Sequence, residues 1–224
     1  MRPTSILVFA CVVIVSACGG SKSTPTSPTT PPTTPVQQNR APSITSMNVS
    51  PGFGVAGLTQ FSFNAAATDP DGDAITYAWD IAGNPYTGTN GTITFSNGGD
   101  GTARLTVTDS KGAAASDTRT FVVGTMTGSW RVTTGPLVGA TFTLSQSGTG
   151  LVSGTFSLPG IGNGTTDPAQ PGRIDGNAGV TMRIKIAPFT DFTMNGSMAS
   201  TGRTVSGSLQ GSGFTGQPFT LTKQ

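Results

Sequence analysis

The 224-residue sequence contains no histidine and no glutamate, and its ten acidic residues are all aspartates. Without an imidazole it cannot build a Ser/His/Asp or Cys/His arrangement, nor a histidine-ligated zinc site. General acid–base catalysis relies heavily on these two missing residue types. We therefore expect a protein that is not an enzyme.

Charge is also scarce. Only 10% of the residues are charged, the formal net charge is +2, and the sequence holds no basic cluster. Steering of a polyanion needs a concentrated positive surface. Nucleic acid is therefore not an expected partner.

The only two cysteines, Cys11 and Cys18, lie near the N-terminus. Arg2 precedes an apolar run from Ile6 to Val15, which is shorter than the roughly 20 residues that span a bilayer. A positive region, a short apolar region and then small residues predict a secretory signal peptide at residues 1–17.

The residues "VSAC", Val15 to Cys18, resemble the lipobox of bacterial lipoproteins. The resemblance implies cleavage before Cys18, a diacylglyceryl thioether on its sulfur, and an acyl chain such as palmitate on the new amine. Several acyl chains together anchor a protein stably. Residue 19 is glycine rather than aspartate. By resemblance to lipoprotein sorting in Gram-negative cells, this implies an outer-membrane protein that faces the periplasm or the cell exterior. An ordinary signal peptide with a chance cysteine, or an uncleaved anchor, is the alternative.

Residues 18–42 follow as a segment rich in proline, threonine and serine. Such a composition cannot bury a core and predicts an extended tether. At about 3.1 Å per residue it could reach roughly 70 Å from the membrane.

Residues 43–123 contain short runs in which apolar and polar residues alternate. Phe61 and Phe63 alternate in one run, and the run from Ile75 to Ile81 places Tyr77 and Trp79 on the same face. Period-two patterns of this kind predict half-buried strands, and several together predict an all-β sandwich.

The same region resembles the PKD domain, an immunoglobulin-like sandwich of bacterial surface proteins. The resemblance rests on the aspartate-rich turn Asp69–Asp73, the pair Trp79-Asp80, the strand and turn Leu105–Gly112, and the final strand Phe121–Val123. Residues 82–88, "AGNPYTG", depart from the glycine-rich segment that the family usually has there.

The turn "DPDGD" places Asp69, Asp71 and Asp73 two residues apart. Pro70 and Gly72 supply turn chemistry, and the turn brings the three carboxylates towards one another. Calcium takes six to eight oxygen ligands, of which these residues could supply some. Two interpretations stay open: a solvated turn, or a calcium site. No other cofactor is expected.

Residues 126–224 contain eight further strand candidates and predict a small up-and-down antiparallel β-barrel. A short motif, an apolar residue, a polar residue and then glycine, recurs and predicts inward-facing glycines at Gly154, Gly176, Gly196 and Gly207. The segment from Leu158 to Gly172 is predicted to be a long Gly/Pro loop.

The barrel region opens with Gly128-Ser129-Trp130, and Lys223 lies in its last strand. This is similar to the opening of lipocalin- and avidin-like barrels, where the tryptophan closes one end. The inward residues are apolar, and they could either fill the interior or enclose one small ligand.

We expect a non-enzymatic, lipid-anchored envelope protein with a binding or structural role. PKD-like modules accompany carbohydrate or protein recognition, so the resemblance implies a glycan or an envelope protein as partner. Tyr86, Phe53 and Phe214 are the candidate rings for stacking on sugars. The alternative is a carrier of a small lipophilic ligand inside the barrel. The sequence assigns no ligand-binding residues.

Overall fold

The computed structural model describes residues 37–187 and 190–224. The predicted signal peptide, Cys18 and most of the predicted tether lie outside the described residues. Residues 38–224 form one compact unit. In the described part of the chain, no helix combines the length and the hydropathy that a membrane span requires.

The described residues form β-strands joined by turns, as the alternating patterns predict. The strands are β1 Ser43–Ser50, β2 Phe53–Val55, β3 Gln60–Thr68, β4 Ile75–Ile81, β5 Asn84–Thr87, β6 Asn90–Thr94, β7 Gly99–Asp109, β8 Ala114–Gly124, β9 Gly128–Thr134, β10 Thr141–Gln146, β11 Leu151–Leu158, β12 Gly162–Thr166, β13 Gly172–Ile174, β14 Gly179–Lys185, β15 Phe192–Met198, β16 Thr204–Gly211 and β17 Phe214–Lys223.

Strands β1 to β8 form a sandwich, as predicted. One sheet has the order β1-β3-β6 and the other has the order β2-β8-β7-β4-β5. All pairings are antiparallel except β2 with β8. The alternating residues meet between the sheets, where Phe63 lies 5.0 Å from Trp79 between ring centroids and Leu105 is fully buried.

Strands β9 to β17 close into an antiparallel barrel, which confirms the predicted architecture. The last strand, β17, pairs with the first, β9, so that the sheet has no free edge. Strands β12 and β13 both lie between β11 and β14, and they share one position end to end. The nine strands therefore occupy eight positions around the barrel.

Large apolar side chains fill the barrel interior. The fully buried members include Trp130, Phe142, Met182, Ile184, Met194, Leu209, Phe219 and Leu221. Phe142 and Phe156 stack with their centroids 5.3 Å apart. One apolar recess of 180 Å³ remains at a barrel mouth beside Leu158, Ile161 and Phe214. This is below the roughly 300–1,000 Å³ of typical ligand sites.

Three of the predicted inward glycines lie where backbones approach closely. Gly196 and Gly207 are directly paired across β15 and β16, and a Cβ on either would press on the neighbouring strand. Gly154 likewise faces the carbonyl oxygen of Thr143. The prediction for Gly176 is wrong, because this residue lies in an exposed turn with open space around it.

The predicted loop from Leu158 to Gly172 contains a strand, β12, and that prediction is therefore wrong. Its glycines and threonines have little strand signal of their own, and pairing with β11 and β14 supplies the order. Between β12 and β13 the chain leaves the sheet at residues 167–171, a segment we call the excursion. Asp167 holds it: the buried carboxylate accepts from the Ala169 N–H at 2.9 Å and lies 3.1 Å from Lys185 Nζ.

Trp130 closes one end of the barrel beneath the last strand. Its side chain is fully buried, and Nε1 donates to the Met126 carbonyl at 2.8 Å. Lys223 is its cross-strand partner, with Nζ 5.6 Å from the ring centroid. Burial, together with the nearby Arg203 charge, lowers the pKa of Lys223.

The sandwich packs directly on this end of the barrel. Val55 belongs to the barrel core, and Phe53 and Leu58 pack against it. Gln146 joins the two parts through its side-chain amide, which accepts from the Met126 N–H at 2.8 Å and donates to the Ala56 carbonyl at 2.9 Å. The sandwich and the barrel therefore share buried surface.

We expect Gln146→Ala to lower the free energy of unfolding by about 2–3 kcal/mol, because it leaves the Met126 N–H and the Ala56 carbonyl without partners at the junction. For a chain of this size the melting temperature should fall by roughly 4–12 °C. Circular dichroism on heating measures the change. The neighbouring exposed Ser145→Ala serves as the control, and an equal effect of the two substitutions would contradict the role of Gln146.

Asp167 should make stability depend on pH. Burial raises its pKa, but the Ala169 amide and the cations of Lys185 and Arg183 outweigh that effect, and the net pKa lies below its ordinary value. The stabilisation is therefore complete above the ordinary aspartate pKa of about 4 and is lost as pH falls through the folded value.

Chemical denaturation at several pH values tests this assignment. The stability difference between the wild type and Asp167→Asn should shrink as pH is lowered from about 6 to about 2. Asp100→Asn is the matched control, because the Asp100 side chain is 67% exposed. A difference that stays constant over this range would refute the assignment.

Candidate metal centre

The three predicted carboxylates lie together in the turn between β3 and β4. Oxygen atoms of Asp69, Asp71 and Asp73 all lie within 4.8 Å of one another. Asp69 Oδ1 accepts from the N–H groups of Asp71 at 2.8 Å and Asp73 at 3.1 Å. Gly72 adopts a φ of +76°, which the turn requires.

The capping role of Asp69 recurs at three other turns. In each, an oxygen of a polar side chain accepts from the N–H groups two and four residues later: Asp109 with Lys111 and Ala113, Ser147 with Thr149 and Leu151, and Asp175 with Asn177 and Gly179. Among these four described turns, only the first has carboxylates at both later positions. The capping geometry is thus general turn chemistry, and the added carboxylates are particular to this turn.

Two protein cations pair with the outer carboxylates. Arg40 donates to Asp71 Oδ1 from Nη2 at 2.6 Å and from Nε at 2.8 Å, and the Asp71 side chain is only 6% exposed. Lys111 Nζ lies 3.0 Å from Asp73 Oδ2. The hydrogen bond to Asp73 raises the pKa of Lys111. The charges of Arg40 and Lys111 therefore neutralise two of the three negative charges of the cluster.

Apart from Asp73 Oδ2, which pairs with Lys111, two buried side-chain oxygens have no hydrogen-bond partner within the described part of the chain. They are Asp69 Oδ2 and Asn39 Oδ1. The amide of Asn39 is fixed by its Nδ2, which donates to Asp109 Oδ2 at 2.8 Å. A buried acceptor without a donor costs about 1–3 kcal/mol. Carboxylate and amide oxygens are calcium ligands, so the donor chemistry fits a hard cation.

Asp109 is a buried carboxylate at the end of β7. Burial raises its pKa, but the Asn39 amide and the backbone N–H groups of residues 111–113 outweigh this, and the net pKa is lowered. Asp109 therefore stays ionised and adds negative charge to this end of the sandwich.

Four residues at this end of the sandwich are not predicted from the sequence as members of a site: Asn39, Arg40, Asp109 and Lys111. Asn39 and Arg40 fall in the segment read as tether, where composition alone gives no sign of tertiary contact. Asp109 had a readable signal, because "DSKG" repeats the aspartate-to-glycine spacing of "DPDG".

The region that contains the sandwich strands and the aspartate turn matches a known family. Residues 39–124 match the family model of the PKD domain. The match covers the sandwich and includes Asn39, and it confirms the predicted resemblance for this region. No curated protein sequence matches the chain at a significant level.

Seven chains of solved structures are similar to this one, and three of them are described here. The PKD1 domain of Vibrio anguillarum Epp is 28% identical, with 38% of this chain and 96% of that chain covered and a TM-score of 0.32. The PKD1 domain of the Vibrio cholerae metalloprotease PrtV is 24% identical, with 38% and 98% covered and a TM-score of 0.32. A structure described as a carbohydrate-binding module from the beta-sandwich superfamily is 20% identical, with 84% and 93% covered and a TM-score of 0.37.

We propose that the aspartate cluster of the sandwich binds calcium weakly, because Arg40 and Lys111 compete with the ion for Asp71 and Asp73. Calorimetric titration of the full chain should give a Kd in the millimolar range, as in weak extracellular sites. Lys111→Met should tighten binding about fivefold by removing a competing charge, and Asp71→Asn should abolish it.

Asp117→Asn is the control for loss of a carboxylate, because Asp117 lies on β8 and pairs with Arg119 instead. It should leave the titration unchanged. Absence of heat at ten millimolar calcium in both the wild type and Lys111→Met would end the calcium proposal and leave a capped, ion-paired turn.

Proposed function

We propose that the chain is a non-catalytic, lipid-anchored envelope protein that presents its PKD domain and barrel for binding or as a structural element. A PKD match fits a binding or structural role. Acylated Cys18 would hold the protein in the outer membrane, and residues 18–42 would act as its tether. The partner would be a glycan or another envelope protein outside the cytoplasm.

The filled barrel interior is the observation that carries this proposal. Within the described part of the chain, its apolar side chains leave a recess of 180 Å³ at one mouth, and the sandwich covers the opposite end. The polar side chains of the barrel strands face outward instead, as the burial alternation of β10 and β14 shows. Recognition therefore belongs on the outer surface, and carriage of a lipophilic ligand inside the barrel receives little support.

None of the three candidate rings for stacking on sugars is exposed. Tyr86 lies in β5 and packs edge-on against Phe63 at 5.0 Å, and Phe53 and Phe214 pack against the barrel core. Every aromatic side chain in residues 37–187 and 190–224 for which burial is described is buried or half-buried. A glycan partner would therefore have to be recognised through polar groups.

Mass spectrometry of the protein purified from bacterial membranes tests the anchor. We expect a mature chain that begins at Cys18 and carries a diacylglyceryl group and an amide-linked acyl chain. Cys18→Ser should abolish both the acylation and the cleavage, because the hydroxyl is a far poorer nucleophile than the thiolate.

Cys11→Ser is the matched control and should still yield the acylated mature chain, since Cys11 would leave with the signal peptide. A polypeptide that retains its initiator methionine and carries no fatty chain would refute the lipid anchor.

A further inference from the structure

A polar groove of 530 Å³ runs over the outer wall of the barrel across β13, β14 and β15. Its volume falls within the roughly 300–1,000 Å³ of small-molecule sites. The strand register places Arg173 opposite Thr181, and Thr181 opposite Asn195. These three outward side chains therefore form one row across the groove.

Internal hydrogen bonds hold both walls of the groove. One wall is the excursion, which Asp167 fixes and whose Gln170 Oε1 accepts from Arg183 Nη1 at 3.1 Å. The other wall is the turn in which Asp175 Oδ1 accepts from the N–H groups of Asn177 and Gly179. A site whose walls are already ordered loses little entropy when a ligand binds.

The two arginines of the groove differ in their pairing. The guanidinium of Arg183 is already paired, because its Nε lies 3.1 Å from Asp191 Oδ2. The Arg173 side chain is exposed, and its guanidinium makes no hydrogen bond or ion pair with any residue in the described ranges. A free guanidinium presents a fork of N–H donors that matches a carboxylate in bidentate fashion.

The remaining polar groups of the groove suit hydroxyl groups. Thr181, Thr193 and Asn195 offer donors and acceptors. Asp175 Oδ2 extends over Gly179, 2.8 Å from the point where a Cβ would stand there, and it offers an acceptor. No aromatic residue of the described ranges belongs to the groove lining, so the recognition we infer is polar rather than by stacking.

We propose that this groove binds a carboxylated sugar, a uronate unit of an acidic glycan. Arg173 takes the carboxylate, and Asp175, Thr181 and Asn195 take the ring hydroxyls. This proposal rests on the proposed function, with a glycan as the partner, and it adds the site and the chemical class of that glycan.

Isothermal titration of the full chain in detergent with trigalacturonate, oligoalginate and methyl-esterified trigalacturonate tests it. The wild type should bind at least one of the two uronate oligomers, and esterification, which removes the charge but keeps the backbone, should weaken galacturonate binding at least tenfold.

Arg173→Ala should weaken uronate binding about tenfold, as expected when a charged hydrogen-bonded pair is lost. Arg131→Ala is the matched control, because Arg131 is also exposed on the barrel wall and is unpaired within the described residues.

Different results overturn different claims. Absence of binding to either uronate oligomer, or equal weakening by Arg131→Ala and Arg173→Ala, refutes the groove as a uronate site. Equal binding of the acid and its ester, with Arg173→Ala silent, refutes the role of the charge but keeps glycan binding. None of these outcomes affects the lipid anchor, which mass spectrometry of Cys18 tests separately.

Discussion

Closure of the barrel, through the pairing of β17 with β9, is the constraint on which the rest of the molecule depends. It satisfies the backbone groups of both terminal strands and removes the edges through which a sheet could pair with other chains. Closure also divides the side chains into an inner and an outer set, since alternate residues point to opposite faces. With tryptophan, phenylalanine, methionine and leucine inside, the inner set fills the available space. Polar chemistry is then confined to the outer wall.

The junction between the barrel and the sandwich extends this constraint. Val55 enters the barrel core, and Gln146 bonds to backbone groups on both sides of the junction. Arg203 adds an exposed ion pair with Asp100 at 2.8 Å, which contributes little because solvent screens it. Apolar burial and the Gln146 bonds therefore matter most at the junction, and they couple the two β structures mechanically.

Aspartate side chains both cap turns and bring carboxylates close together in this fold. Aspartate caps a tight turn at Asp109 and Asp175, and the same capping places Asp69 at the cluster. The neighbouring positions differ between these turns: carboxylates follow Asp69, whereas Asp175 shares the groove of the outer wall with the unpaired guanidinium of Arg173. A protein without histidine or glutamate can thus still build polar sites, provided that turns and registers hold short side chains in place.

The sequence by itself determined the class of the fold and its dry faces, because period-two alternation depends only on neighbouring residues. Phe61, Trp79 and Met182 are buried as that pattern requires. The "DPDGD" turn was equally readable, since proline and glycine act locally. Tertiary structure decided the rest. Pairing made a strand of residues 162–166, and packing left Tyr86 half-buried. Arg40 bonds to Asp71 and Asn39 to Asp109, although composition marks their segment as tether. Each of these outcomes depends on contacts between residues distant in the chain, and local propensity carries no information about them.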